Sequence, residues 1–311
     1  MKTLYPQLDP EHGTVAAADG TRLAFHTVGQ GPPLVLVNGV STSNFFWAKI
    51  LPQWASRYRV VLWDYKGHGD SEAARTRAGT SIEAMADDLG RVMVAADVAR
   101  APVTGFSMGS QVALEACRTD PDRFPAVVSL LGTSGRVYDR ALWRVGGVVA
   151  QGALKGTPRA ARKVLHRAMH LGMRAPLAYR VGRLAGLFGC ETRPDDIAAY
   201  IDHFARLDPA TVADIVLAAG AHDASDVLAD LPMPLLVIAG ERDVFAPLDR
   251  VGRPIHAAAP GSKLVVIPGG THGSLFGHAP QIEAAIEAFI DDVLPGRCWN
   301  EQAPADERSR P

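Results

Sequence analysis

Ser107 lies between Gly105 and Gly109 in the stretch TGFSMGSQ (104–111), a G-x-S-x-G spacing. A serine hydroxyl attacks a carbonyl carbon poorly until a neighbouring base takes its proton, and the base serves best when a third group orients it. Acyl chemistry also needs hydrogen-bond donors aimed at the place where an oxyanion will develop. A sharp turn that lifts the hydroxyl off a sheet answers both needs. Small residues two positions to either side let backbone segments approach closely. A helix starting just after the serine aims its free N–H groups at the site, that of Met108 first. The spacing by itself is a weak signal, because many loops match it by chance. Its flanks strengthen it: RAPV before it reads as a short strand and QVALEACR after it as a helix.

The surrounding elements fit that placement. TVAAADGTRLAFHTVG carries Asp19–Gly20 between two short runs, a hairpin signal. PPLVLVNG, RVVLWDYKGHG, APVTGFS and PAVVSLLGTSG are apolar runs that end at glycine or serine, as strands buried on both faces of a parallel sheet do. Helical spacing separates them: Trp47, Ile50, Leu51 and Trp54 form one stripe, and Ile82, Met85, Leu89, Val92 and Met93 form another. From 136 to 231 no buried strand is evident, and helical segments follow one another. The alternation resumes with PLLVIAGERD, a helix from about Pro247, SKLVVIPGGTHG, and a last helix striped by Ile282, Ile286, Phe289, Ile290 and Val293. The reading is a doubly wound, mostly parallel α/β sheet. A core domain spans 1–135 and 232–295, a helical cap is inserted over 136–231, and 296–311 is a flexible, Pro-rich tail.

With Ser107 set between a strand and a helix, the chain resembles the α/β-hydrolase fold family, as a serine esterase or lipase-like member with a helical cap, over nearly its whole length. That family orders its triad Ser, acid, His. The resemblance implies Asp243, in VIAGERDVFAP, as the acid and His272, in VIPGGTHGSLF, as the base. Glu241 and Asp249 remain alternatives for the acid, and His278 for the base. The second oxyanion donor is expected in NGVSTS, with Gly39 at the turn and the N–H of Val40 as donor; Asn38 stands where the family often has histidine. Ser41 and Ser43 are expected to satisfy loop backbone. WDYKGHGDS resembles the family's D-x-R-G-x-G-x-S loop, with Lys66 in place of arginine, so Asp64, His68 and Ser71 read as structural. The implied activity is cleavage of a carboxylic ester of a hydrophobic acyl or aromatic group through an acyl-enzyme, with no metal or cofactor. Lactonase, carbon–carbon bond hydrolase and cofactor-free perhydrolase or haloperoxidase chemistry share the same triad, and a non-catalytic binder shares the fold. Serine at 107 excludes the alkyl-enzyme route that needs aspartate there.

The rest of the sequence bounds the partners. A net charge of −1 over 311 residues gives no global bias toward nucleic acid. The expected partner is a small-molecule ester, and the oligomeric state is left open. Cys117, Cys190 and Cys298 are far apart, which suits isolated thiols in a reducing, cytoplasmic setting and no zinc site. No secretory leader or membrane span is evident. His166 and His170 stand at i, i+4, which permits a metal pair, but no H-E-x-x-H pattern accompanies them and they read as a solvated face. Between 136 and 183 eleven basic residues face Asp139 alone, and between 191 and 230 nine acids face two arginines. Mutual neutralisation of the two halves is the preferred reading. The sharper alternative is a basic amphipathic lid, with Leu142, Trp143, Val148, Val149, Leu165, Met169, Leu171 and Met173 interleaved, touching an anionic interface.

Overall fold

The computed structural model describes residues 8–136, 155–175, 177–296 and 299. The chain opens with β1 (Glu11–Ala16) and β2 (Arg22–Val28), an antiparallel hairpin turning at Asp19–Gly20, where Gly20 adopts φ 78°. β3 (Pro33–Val37), α1 (Leu51–Ala55), β4 (Arg59–Trp63), α2 (Ile82–Ala95), β5 (Val103–Phe106), α3 (Met108–Thr119) and β6 (Val127–Leu130) follow. Between β6 and β7 lie α4 (Arg159–Met173), α5 (Ala178–Leu184), α6 (Pro194–Arg206) and α7 (Pro209–Ala221). The chain then returns through β7 (Leu235–Gly240), α8 (Arg253–Ala258), β8 (Lys263–Ile267), α9 (Ser274–Gly277) and α10 (Ala279–Val293).

All eight strands form one sheet in the order β1-β2-β4-β3-β5-β6-β7-β8, parallel from β4 through β8. The apolar runs are buried on both faces because helices cover both. Leu89, Val92 and Val112, from α2 and α3, pack on one side with Val35, Val61 and Val103. Ile282, Ile286, Phe289 and Ile290 of α10 pack on the other with Leu36, Leu62 and Val128. Burying each of these side chains contributes about 1.5–3 kcal/mol. Strand order reverses at β3, whose neighbours are β4 and β5, so the loops leaving β3 and β5 diverge and open a crevice at the carboxyl edge of the sheet. No helix among the described residues is long and apolar enough to cross a membrane.

Three expectations are corrected. The Trp47–Trp54 stripe is a 3₁₀ turn over Asn44–Trp47 followed by the short α1, and all four aromatic and aliphatic side chains are buried. Trp299, assigned to a flexible tail, is buried against Tyr58 and donates its indole N–H to Pro33 O at 2.8 Å, which anchors it to the sheet. The face of His166 is not solvated: its ring stacks on Phe204 with centroids 4.4 Å apart, and burial lowers its pKa. The charge halves do meet, through a buried Arg162–Asp214 pair at 3.0 Å and an exposed Arg174–Asp202 pair at 3.7 Å. Leu142, Trp143, Val148, Val149, Asp139 and Cys298, and all of the tail but Gly296 and Trp299, lie outside the described residues.

Candidate active site

β5 ends at Phe106 and α3 begins at Met108, so Ser107 alone makes the turn. It does so at φ 54°, ψ −119°, a conformation that a side chain tolerates only when its surroundings enforce it. Those surroundings are the two glycines. A Cβ on Gly105 would sit 2.3 Å from Gly109 O, and one on Gly109 would sit 2.5 Å from Val37 O. The strand end, the helix start and the end of β3 are packed backbone to backbone. Gly39 repeats the theme on the β3 loop, where a Cβ would lie 2.7 Å from the Phe106 ring and 3.2 Å from Ser107 Cβ. The peptide leading to Val40 therefore passes directly beside the serine. The N–H of Met108 opens α3, where the first N–H groups have no acceptor inside the helix. Val40 and Met108 both line the cavity above Ser107.

The loop after β8 brings His272 Nε2 within 2.9 Å of Ser107 Oγ. The loop after β7 brings Asp243 Oδ2 within 2.8 Å of His272 Nδ1. A carboxylate oxygen accepts, so Nδ1 carries the hydrogen and Nε2 turns its lone pair to the serine hydroxyl. Asp243 is itself held: its Oδ1 accepts the N–H of Phe245 at 2.8 Å and of Ala246 at 2.9 Å, and its carboxylate is fully buried. The alternatives fall elsewhere. Glu241 is exposed and accepts the N–H of Gly269. Asp249 pairs with Arg253 on the surface, and His278 leads into α10.

A second ring of polar contacts braces the β3 loop. His68 Nε2 accepts the N–H of Ser41 at 3.1 Å while its Nδ1–H donates to Lys66 O at 3.0 Å. Burial holds this imidazole neutral, with its pKa lowered to about 4, so it keeps the lone pair that Ser41 requires. Ser41 adopts φ 60°, which makes that restraint necessary. Ser43 corrects an expectation: its hydroxyl donates to the Asp64 carboxylate rather than to backbone. Asp64 also accepts the N–H of Asp70, and burial raises its pKa to about 6. Asn38 fills the family's histidine position with two bonds, donating to Trp63 O at 2.7 Å and accepting from Trp47 Nε1 at 2.8 Å. Lys66, where arginine is usual, is buried and pairs with Asp88 at 2.9 Å. Ser71 donates to Asp64 O and takes the Ala24 N–H, a structural part as expected.

Over Ser107 lies a cavity of about 350 Å³. Its floor and walls are Phe46, Phe106 and Leu131 from the sheet side, Phe245 and Phe276 from the segments after β7 and β8, Leu187 and Phe188 from the bend between α5 and α6, and Ile197, Tyr200 and Val216 from α6 and α7. Ser41, Gln111 and Thr133 are among its few polar contacts. No sequence motif marks the walls beyond the sheet side. Phe245 was the most findable, two residues beyond Asp243; Phe188, Tyr200 and Val216 reach the site through tertiary packing that no local pattern announces. Also unforeseen, His26, Asp64 and Asp70 bring one ring nitrogen and two carboxylate oxygens within 4.8 Å of one another, a set that could take a cation. It lies behind the β3 loop, apart from the cavity lining.

The chain belongs to the alpha/beta hydrolase fold family, whose model matches residues 32–279. An esterase from Exiguobacterium antarcticum superposes with a TM-score of 0.73 at 18% identity, covering 89% of this chain and 98% of that one. The enol-lactonase of Burkholderia xenovorans superposes with a TM-score of 0.70 at 23% identity, covering 89% and 99%. A polyketide synthase of Burkholderia thailandensis is 27% identical over 304 residues; that match takes in 88% of this chain and 12% of the synthase.

Proposed function

We propose that this chain is a serine hydrolase that cleaves a carboxylic ester bearing an apolar acyl or aromatic group. The observation that carries the reading is the unbroken relay from Ser107 through His272 to Asp243, opening into an apolar cavity. Ser107 Oγ attacks the carbonyl carbon as His272 Nε2 takes its proton. The N–H groups of Val40 and Met108 hold the oxyanion, a role supported by the nearness of Gly39 to Ser107 and by the free helix start at Met108. His272 then gives the proton to the leaving alkoxide, and the alcohol departs. A water deprotonated by the same nitrogen attacks the acyl-enzyme and releases the acid. Asp243 keeps the imidazole in the tautomer this sequence of transfers needs and stabilises the imidazolium. Nothing in these steps requires a cofactor.

Hydrolysis of p-nitrophenyl esters of graded acyl length, run beside Ser107→Ala, tests the reading. The chain is expected to show a burst of p-nitrophenolate and a turnover that falls by roughly 10³-fold or more in the alanine variant. Undiminished turnover in Ser107→Ala refutes the nucleophile.

A further inference from the structure

Among the described residues nine large apolar side chains are exposed, and seven of them fall between residues 164 and 184. On α4 the stripe formed by Arg162, His166 and Met173 faces inward: Arg162 pairs with Asp214, His166 stacks on Phe204, and Met173 packs on the Phe204–Leu207–Val212 cluster. At 3.6 residues per turn, Val164 and Leu171 point the opposite way, and they are 71% and 61% exposed. Leu165 and Met169 flank the inner stripe and are also exposed. On α5, which packs beside α4, Leu177, Val181 and Leu184 recur at i, i+4 and i+7 along the exposed side. Globular surfaces scatter such residues singly; an exposed apolar stripe on each of two helices in contact is more than that scatter and asks for a covering.

Charge says what covers it. From Lys155 to Leu184 the sequence holds eight basic residues and no acid. Arg162 and Arg174 are neutralised by Asp214 and Asp202. Lys163, Arg167 and Arg180 are exposed and form no ion pair with a described residue. Lys163 and Arg167 are four residues apart, one helical turn, beside the Val164–Leu171 stripe. Apolar stripes bordered by unneutralised cations match a phase that is apolar within and anionic at its surface. A second copy of the chain would bring cations against cations, and a nucleic acid would leave the apolar stripes wet.

We propose that the α4–α5 face docks on an anionic lipid surface, with Val164, Leu171, Val181 and Leu184 inserted among the acyl chains and Lys163, Arg167 and Arg180 at the phosphates. Leu187 and Phe188, which line the cavity over Ser107, follow α5 directly, so the docked face adjoins the site.

Flotation of the purified full chain with phosphatidylcholine vesicles, with and without phosphatidylglycerol, at low and high salt, tests this. Recovery with vesicles is expected only when phosphatidylglycerol is present, and high salt should weaken it. Lys163→Ala and Arg167→Ala should each weaken binding roughly fivefold. Leu171→Ser combined with Leu184→Ser should abolish flotation while turnover of a short soluble ester and the circular dichroism spectrum stay unchanged. Any of four results overturns the proposal: no flotation with phosphatidylglycerol, equal flotation with phosphatidylcholine alone, flotation indifferent to these substitutions, or light scattering that shows a dimer broken by the serine pair. Tight, salt-sensitive capture by duplex DNA that the serine pair leaves intact also overturns it, by assigning the basic residues to a polyanion with no apolar interior.

Discussion

Replacing Asp243 by asparagine isolates what the carboxylate does. Two backbone N–H groups, of Phe245 and Ala246, converge on Asp243 Oδ1 at 2.8 and 2.9 Å. In Asp243→Asn only the amide oxygen can occupy that place, because an NH₂ there would oppose two donors. The amide nitrogen is then forced to the Oδ2 position, 2.8 Å from His272 Nδ1, where it donates. Nδ1 must become the lone-pair nitrogen, and the ring hydrogen moves to Nε2, facing Ser107 Oγ. The base can no longer accept the serine proton. Turnover should fall by about 10⁴-fold, about 5 kcal/mol of transition-state stabilisation. Folding stability should hardly change, because every hydrogen bond of the carboxylate has a replacement. Asp243→Ala supplies the contrast, since it strips the acceptor from the part-buried N–H of Phe245 and from the buried N–H of Ala246, the latter at about 1–3 kcal/mol. Steady-state p-nitrophenyl ester hydrolysis and urea unfolding of both variants make the measurement. An asparagine variant that keeps more than about a tenth of the wild-type turnover, against that 10⁴-fold expectation, or that unfolds as early as the alanine variant, refutes the tautomer argument.

Other variants probe the supports. His68→Leu removes the acceptor for the Ser41 N–H; kcat should fall by roughly tenfold to a hundredfold with KM little changed, less than the ~10²–10³ expected for deleting an oxyanion donor itself, and an unaffected kcat would show that the β3 loop needs no such brace. Trp299→Ala empties a buried site in the core and should destabilise the chain by about 3–5 kcal/mol in urea unfolding, whereas a loose tail residue would leave the midpoint unmoved. Gly105→Ala drives a Cβ into Gly109 O and should yield insoluble or inactive protein. Gly90→Ala, in the middle of α2 with nothing within 4 Å of the new Cβ, should instead stabilise by about 0.5–1 kcal/mol.

The parts of this molecule that the sequence reveals are those written in local pattern. An apolar run that ends in G-x-S-x-G and passes into a helix reads as a strand, a sharp turn and a helix, with the serine on the turn. Asp243 and His272 were legible only through the family resemblance, which expects an acid and then a histidine in the loops after later strands; local pattern alone left Glu241, Asp249 and His278 beside them. What escaped was set by contacts between distant segments. Nothing around His68 says that its Nε2 meets the Ser41 N–H, 27 residues earlier. The Ser43 hydroxyl found a carboxylate where only loop backbone had been expected, because β4 delivers Asp64 beneath it. Trp299 sits in a polar, Pro-rich context that hides its anchorage to Pro33. His166 has the surroundings of a solvated helix face until α6 supplies Phe204. Periodicity reports which side of an element is apolar; it does not report which neighbour arrives to cover it.

Phe245 holds two positions at once. Its backbone N–H is committed to Asp243, yet its ring, 41% exposed, stands 5.0 Å from the His272 ring and forms part of the cavity wall. Because the commitment is made by the main chain, every residue at 245 except proline, which has no N–H, preserves it. Exchange at this one position would reshape the space offered to a reactant while leaving the proton path untouched, so that new preferences could arise there without passing through an inert ancestor.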